Sequence, residues 1–308
     1  MTRILGPLAV GLMILGAQEP ALAASCATVT VSPATPTIPE WNPLSGEIKE
    51  ATFSVTVTRE SASTKSVRWM LLDDNGNGSP LLVGASGPRY EIVSSGTGNT
   101  TIAYPKGTPL TAALGALAQF NNKNDAAFSL KVRLLANSSR DFVGGTRYQE
   151  ALRYSAQCFK ANGSDNGADD GLLSGLRLDM AIPRMLSINT AGPAQVDFQD
   201  FTSDTAEALI SIKSTSTLDV LAATDNGARL KMGTSTAENA VIPYQMRFGP
   251  DAAGSLPLLS PGTPLNTPRA GVGGSNYALQ LKLTGGVPSG KIAGTYSDTI
   301  TLTISPGN

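Results

Sequence analysis

Ala293-Gly-Thr-Tyr-Ser-Asp-Thr-Ile-Thr-Leu-Thr-Ile-Ser-Pro306 alternates with period two from Tyr296 to Ile304. Tyr296, Asp298, Ile300, Leu302 and Ile304 fall on one face, and Ser297, Thr299, Thr301 and Thr303 on the other. That spacing predicts a β-strand with one buried and one wet face. The run of β-branched residues suits a pleated surface. Its backbone N–H and C=O groups need partners along both sides. The sequence stops four residues after Ile304. The expectation is therefore that an earlier strand or another polypeptide covers the second side.

The rest of the chain has the same texture. Ala27 to Val31, Thr52 to Thr58, Val67 to Leu72, Tyr90 to Val93 and Ala127 to Ala136 read as strands, and Gly145 to Phe159 as the strand that closes a first unit. Ala112 to Phe120 reads as a turn of helix weakened by Gly115. Ala161-Asn-Gly-Ser-Asp-Asn-Gly-Ala-Asp-Asp-Gly171 has no apolar anchor and reads as a mobile linker. Beyond it, Leu176 to Ile182, Leu186 to Ile188, Ala194 to Phe198, Ala208 to Ser214, Leu218 to Ala222, Arg229 to Met232, Ile242 to Phe248 and Tyr277 to Leu283 read as further strands, with a hairpin turn at Asp225-Asn-Gly227. The fold class is all-β: two Ig-like sandwiches in tandem over 25–160 and 172–308, joined by 161–171.

The first 24 residues read as a signal peptide. Arg3 supplies positive charge, Ile4 to Ala17 is apolar, and Ala21-Leu22-Ala23 offers a cleavage site after Ala23 or Ala24. The apolar run is too short to span a bilayer. Export places Cys26 and Cys158, the two cysteines of the chain, in an oxidising compartment, where they pair. A bridge across so long a loop contributes roughly 4–5 kcal/mol in the chain-entropy model.

Composition excludes several functions. The net charge of −1 leaves no electrostatic footprint for nucleic acid. There is no histidine, which removes Ser-His and Cys-His catalysis and the commonest metal ligand. No carboxylate pair stands out for acid–base work, and aromatics make up 6% of the chain. The reading is a non-enzyme without cofactor or metal; a lectin or carbohydrate-acting enzyme is the distant alternative. Asp73-Asp-Asn-Gly-Asn-Gly78 opens like a calcium loop, but Gly84 stands where the bidentate Glu belongs, so a turn explains it better. Trp41, Leu44, Leu81, Leu82 and Val83 lie among turn signals and are candidate surface-binding positions.

Three pieces of the second unit carry a family likeness: Ile210 to Leu230 around Asp225-Asn-Gly227, Ile242-Pro-Tyr-Gln-Met-Arg-Phe248, and Tyr277-Ala-Leu-Gln-Leu-Lys-Leu283 continuing through Val287 to Ile304. Together they resemble the spore coat protein U domain, the fold of subunits in archaic chaperone–usher pili, over roughly residues 172–308. The resemblance implies a sandwich lacking its final strand. A periplasmic chaperone lends that strand before an adjacent subunit's extension replaces it at an outer-membrane usher. Tyr296, Ile300, Leu302 and Ile304 would then line the open groove. The cysteine pair of many members is absent from this unit. A further domain ahead of a pilin-like one is the plan of a tip adhesin that attaches a cell-surface pilus to a host or abiotic surface. The alternative within the same family is a minor structural pilin or coat-like surface protein without a receptor.

Overall fold

The computed structural model describes residues 25–36, 38–76, 81–84, 86–96, 98–135, 141–189 and 194–308, without the side chains of 174 and 175. Residues 1–24, expected to be a signal peptide, lie outside the described residues. The chain is all-β; among the described residues the single helical element is a short 3-10 turn at Glu238–Ala240. No helix among them is long and apolar enough to cross a membrane.

Among the described residues, nine strands build the first unit: β1 (Ala27–Ser32), β2 (Lys49–Arg59), β3 (Ser66–Asp73), β4 (Tyr90–Ser94), β5 (Ala103–Tyr104), β6 (Ala116–Gln119), β7 (Asp125–Leu134), β8 (Arg147–Phe159) and β9 (Asp165–Ala181). One sheet has the order β1-β2-β7-β4, and the other β5-β3-β8-β9 with β6 on β3. Alternation decides the faces. In β2, Ala51, Phe53, Val55 and Val57 are buried while Glu50, Thr52 and Ser54 are exposed. They share a core with Val67, Trp69 and Leu71 of β3 and Leu130, Val132 and Leu134 of β7. Each fully buried side chain of this size stabilises by about 1.5–3 kcal/mol relative to exposure. Cys26, just ahead of β1, is bonded to Cys158 on β8, so the disulfide staples the two sheets together.

Two expectations are corrected here. Residues 116–119, inside the expected helical turn, are strand β6 on β3, following a positive φ at Gly115. The linker 161–171 is not a tether. Residues 160–164 form a tight turn, with Lys160 N donating to Ser164 O at 2.9 Å and Gly163 N to Lys160 O at 3.0 Å. Asp165 to Gly171 then runs back along β8 as the first part of β9, pairing Asp169 with Ala156 and Asp170 with Ser155. A border strand draws its stability from backbone bonds to one neighbour, so polar side chains do not forbid it, and charges there discourage edge-to-edge association. Further along β9, Leu173, Leu176, Leu178 and Met180, followed by Ile182, enter the first core. The first unit therefore reaches Ile182, and the second begins after it rather than at Leu172.

The second unit contains β10 (Leu186–Asn189), β11 (Thr205–Ser214), β12 (Leu218–Thr224), β13 (Arg229–Met232), β14 (Val241–Pro250), β15 (Leu258–Leu259), β16 (Leu265–Thr267), β17 (Gly271–Leu283), β18 (Tyr296–Ser297) and β19 (Ile300–Pro306). The larger sheet is ordered β10-β11-β17-β14-β13-β18, with β15 on β14; the smaller is β16-β12-β19. Val220, Met246, Phe248, Tyr277 and Leu281 are among the residues of its separate core. The turn at 225–227 is present, with Gly227 at φ 68°, but it is not a hairpin, because β12 and β13 belong to different sheets. Ala194 to Phe198 forms no strand.

The units meet without slack. Asp141 pairs with Arg269 at 2.5 Å and accepts from Val272 N at 3.2 Å. Arg269 donates to Phe142 O at 3.0 Å, and Gly144 N to Thr215 O at 2.6 Å. Val272, at the start of β17, is buried as part of the first unit's core, which also holds Phe142.

Candidate functional site

The terminal strand decides the site. β19 pairs with β12 in antiparallel register, Val220 opposite Ile304, Ala222 opposite Leu302 and Thr224 opposite Ile300. It lies at the border of its sheet, and its other long edge has no strand neighbour among the described residues. Burial makes the same point. On β12 the inward Leu218, Val220 and Ala222 are all 0% exposed. On β19 the corresponding Ile300, Leu302 and Ile304 are only half-buried, although they touch the same core.

A groove of about 1180 Å³ opens beside these side chains. Ile300, Leu302 and Ile304 form one wall; Ile210 of β11 with Leu279 and Leu281 of β17 contribute to the other. Ile188 and Leu209 border it at 42% and 53% exposure. β10 pairs with residues 211–214 of β11, and among the described residues the flank of β11 from Thr205 to Ile210 has no strand neighbour on that side. Tyr296 lines the end nearest Ile300, where Phe201 meets it edge-on at 6.0 Å and Phe198 stacks on Phe201 at 6.2 Å. Gln199, Asp200 and Phe201 all have positive φ (49°, 54° and 60°), a left-handed turn in which Thr202 N and Oγ1 both donate to Gln199 O. Thus Tyr296, Ile300, Leu302 and Ile304 all border a single trough.

Asp298, between the two terminal strands, has a supporting role that alternation alone did not reveal. Its Oδ1 accepts from Asn226 N at 3.0 Å and Thr299 N at 2.9 Å, and its Oδ2 from the Tyr244 hydroxyl at 2.7 Å. Burial, with the Asp298 carboxylate alongside, pushes the Tyr244 phenol well above its ordinary range. The carboxylate thereby ties the 225–227 turn and β14 to the start of β19. Asp298→Ala is expected to cost about 2–3 kcal/mol, as hydrogen bonds to a charged group are lost and two N–H donors are stranded. Urea denaturation checks this; a change under 0.5 kcal/mol counts against it.

The candidate surface-binding residues are corrected. Trp41 is 1% exposed, donates from Nε1 to Glu47 O at 2.9 Å, and meets Phe142 edge-on at 5.4 Å. Leu44 is half-buried against the first core; Leu81, Leu82 and Val83 are 7%, 6% and 0% exposed. These segments fold under the sandwich, because their apolar side chains gain more from the core than from water. Asp73, first of the calcium-like run, is buried at the end of β3, where it accepts from Lys106 N; residues 77 and 78 lie outside the described set. No cluster of three or more potential metal ligands occurs among the described residues. Sequence reading missed Glu150, buried on β8, whose carboxylate accepts from Asp74 N at 3.1 Å, Gly84 N at 2.9 Å and the Asn75 amide. Its one sequence signal is an acid at an inward position between Tyr148 and Leu152.

No protein-family model matches the chain, and no curated protein does. Among solved structures it is similar to a chain of the CsuC–CsuE chaperone–tip adhesion subunit pre-assembly complex from archaic chaperone-usher Csu pili of Acinetobacter baumannii, at 14% identity over 90% of this chain and 99% of that one, TM-score 0.42. A chaperone–tip adhesin complex of CFA/I fimbriae biogenesis matches at 14% identity, 89% and 95% coverage and TM-score 0.40. The CupB6 tip adhesin from Pseudomonas aeruginosa matches at 8% identity, 90% and 94% coverage and TM-score 0.40.

Proposed function

We propose that the chain is an exported pilus subunit whose second sandwich is completed by a β-strand from another polypeptide. The observation that carries this reading is the bare edge of β19 beside a trough lined by half-buried apolar side chains. An extended segment laid there would bond to the backbone of Ile300–Pro306 and seat alternate side chains against Ile300, Leu302 and Ile304. Until filled, such an edge invites association with any other strand. A periplasmic chaperone fits the role of temporary occupant, and an adjacent subunit delivered through an outer-membrane usher the role of permanent one.

The subunit sits at the pilus tip in this reading. A further sandwich stands ahead of the acceptor one, and Cys26, bonded to Cys158, with Ala27 at the start of β1, ties this stretch into it. That first unit, 25–182, is then the part turned toward a host or abiotic surface, and 183–308 the acceptor. Expression in a bacterial periplasm with and without a chaperone of the chaperone–usher type tests this. The expected result is soluble protein only in a one-to-one complex. A lone, stable monomer that takes up no strand would overturn the proposal.

A further inference from the structure

The trough is electrically lopsided. Asp197 and Asp200 line its Tyr296 end, along with Asp298, and no lysine or arginine lines it anywhere among the described residues. Asp298 is spent on Asn226, Thr299 and Tyr244. Asp197 and Asp200 are exposed and take part in no ion pair among the described residues. Asp197 Oδ1 accepts from Gln199 N at 2.8 Å, which fixes its carboxylate at the turn that carries Asp200. The part of the lining supplied by β10 and β11, Asn189 and Ser211 among it, carries no charge.

Resting on the strand-acceptor reading, we infer that the segment that fills this trough is apolar at alternate positions and carries a lysine or arginine just beyond the apolar run, at the Ile300 end. The charge complementarity sets which way the segment lies and in which register. A strand shifted by two residues would keep its apolar seats in part but would carry the cation away from both carboxylates. A strand with an acid at that end would bring like charges together.

The test uses the full exported chain, refolded with one of three capped peptides that share a Thr/Val-alternating core and are flanked by Lys, Gln or Glu. Retention after gel filtration and the dissociation constant by fluorescence competition are read. The Lys peptide is expected to bind about tenfold tighter than the Glu peptide at low salt, two partly screened carboxylates acting on one cation. The preference shrinks as salt shortens the screening length. Asp197→Asn/Asp200→Asn, which keeps the Oδ1 acceptor for Gln199 N, should erase the preference and leave the Gln peptide unchanged. Equal binding of all three peptides, or a preference that survives in the double variant, overturns this inference while leaving the acceptor reading intact. Failure of all three to bind overturns both.

Discussion

Leu302→Asp is expected to abolish capture of an incoming strand while leaving the second sandwich folded. Leu302 faces the trough from the bare-edged β19 and is half-buried, opposite the fully buried Ala222. With the trough empty, a carboxylate there can reach water. With a strand across it, that carboxylate lies between apolar side chains and has no cation in the lining to pair with. A penalty of about 3 kcal/mol, modest for a desolvated charge, already corresponds to a loss of more than 100-fold in affinity. Thr303→Asp, on the wet face of the same strand, is the control and should bind within about twofold of the parent, as a surface change within ±0.5 kcal/mol would. Co-purification with a periplasmic chaperone and peptide retention both read the effect. Leu302→Asp protein that still binds within threefold of the parent would mean that this wall is not where the strand sits.

Cys26→Ala/Cys158→Ala should produce the largest loss of stability available to the first sandwich. The bridge spans a sequence separation of 132 and joins the two sheets. In the chain-entropy model its removal costs about 5 kcal/mol. That is comparable to the whole stability of a small domain, about 5–15 kcal/mol. Alanine avoids leaving a hydroxyl at Cys158, which is fully buried. Urea titration followed by Trp41 and Trp69, both in the first core, should show the midpoint of that unit collapse. The second unit's core contains no cysteine, so its transition should shift far less. An unchanged tryptophan transition would show that the sheets hold each other without the covalent link.

How far these features were legible in the sequence follows from what each element buries. β19 was plain from Ile300 onward, because apolar residues alternate there with threonine and serine, and period two is the signature of that condition. The single strand expected from Tyr296 is instead broken at Asp298 and Thr299, and Tyr296–Ser297 pairs with β13 in the other sheet as β18. The disulfide was plain because a chain read as exported, with two cysteines, leaves few other pairings. β9 was hidden: from Asp165 to Gly171 it buries little, so composition resembled a tether, and only backbone pairing with β8 reveals a strand. Trp41 and Leu81 to Val83 were hidden for the opposite reason. Their segments have no period, so sequence cannot tell whether an apolar side chain in a turn points to water or curls beneath a sheet. Asp298 was legible as an inward position but not as the anchor of a turn, since Asn226 and Tyr244 are distant in sequence and come together only through the fold.

The join between the sandwiches has a mechanical consequence. Asp141 locked to Arg269, Gly144 bonded to Thr215, and Val272 reaching into its neighbour's interior hold the halves against each other at three points among the described residues. In the proposed reading, any contact made by the first sandwich is then aimed by the second, like a tool gripped in a chuck. The rotational freedom usually surrendered on touching a target has already been given up in folding.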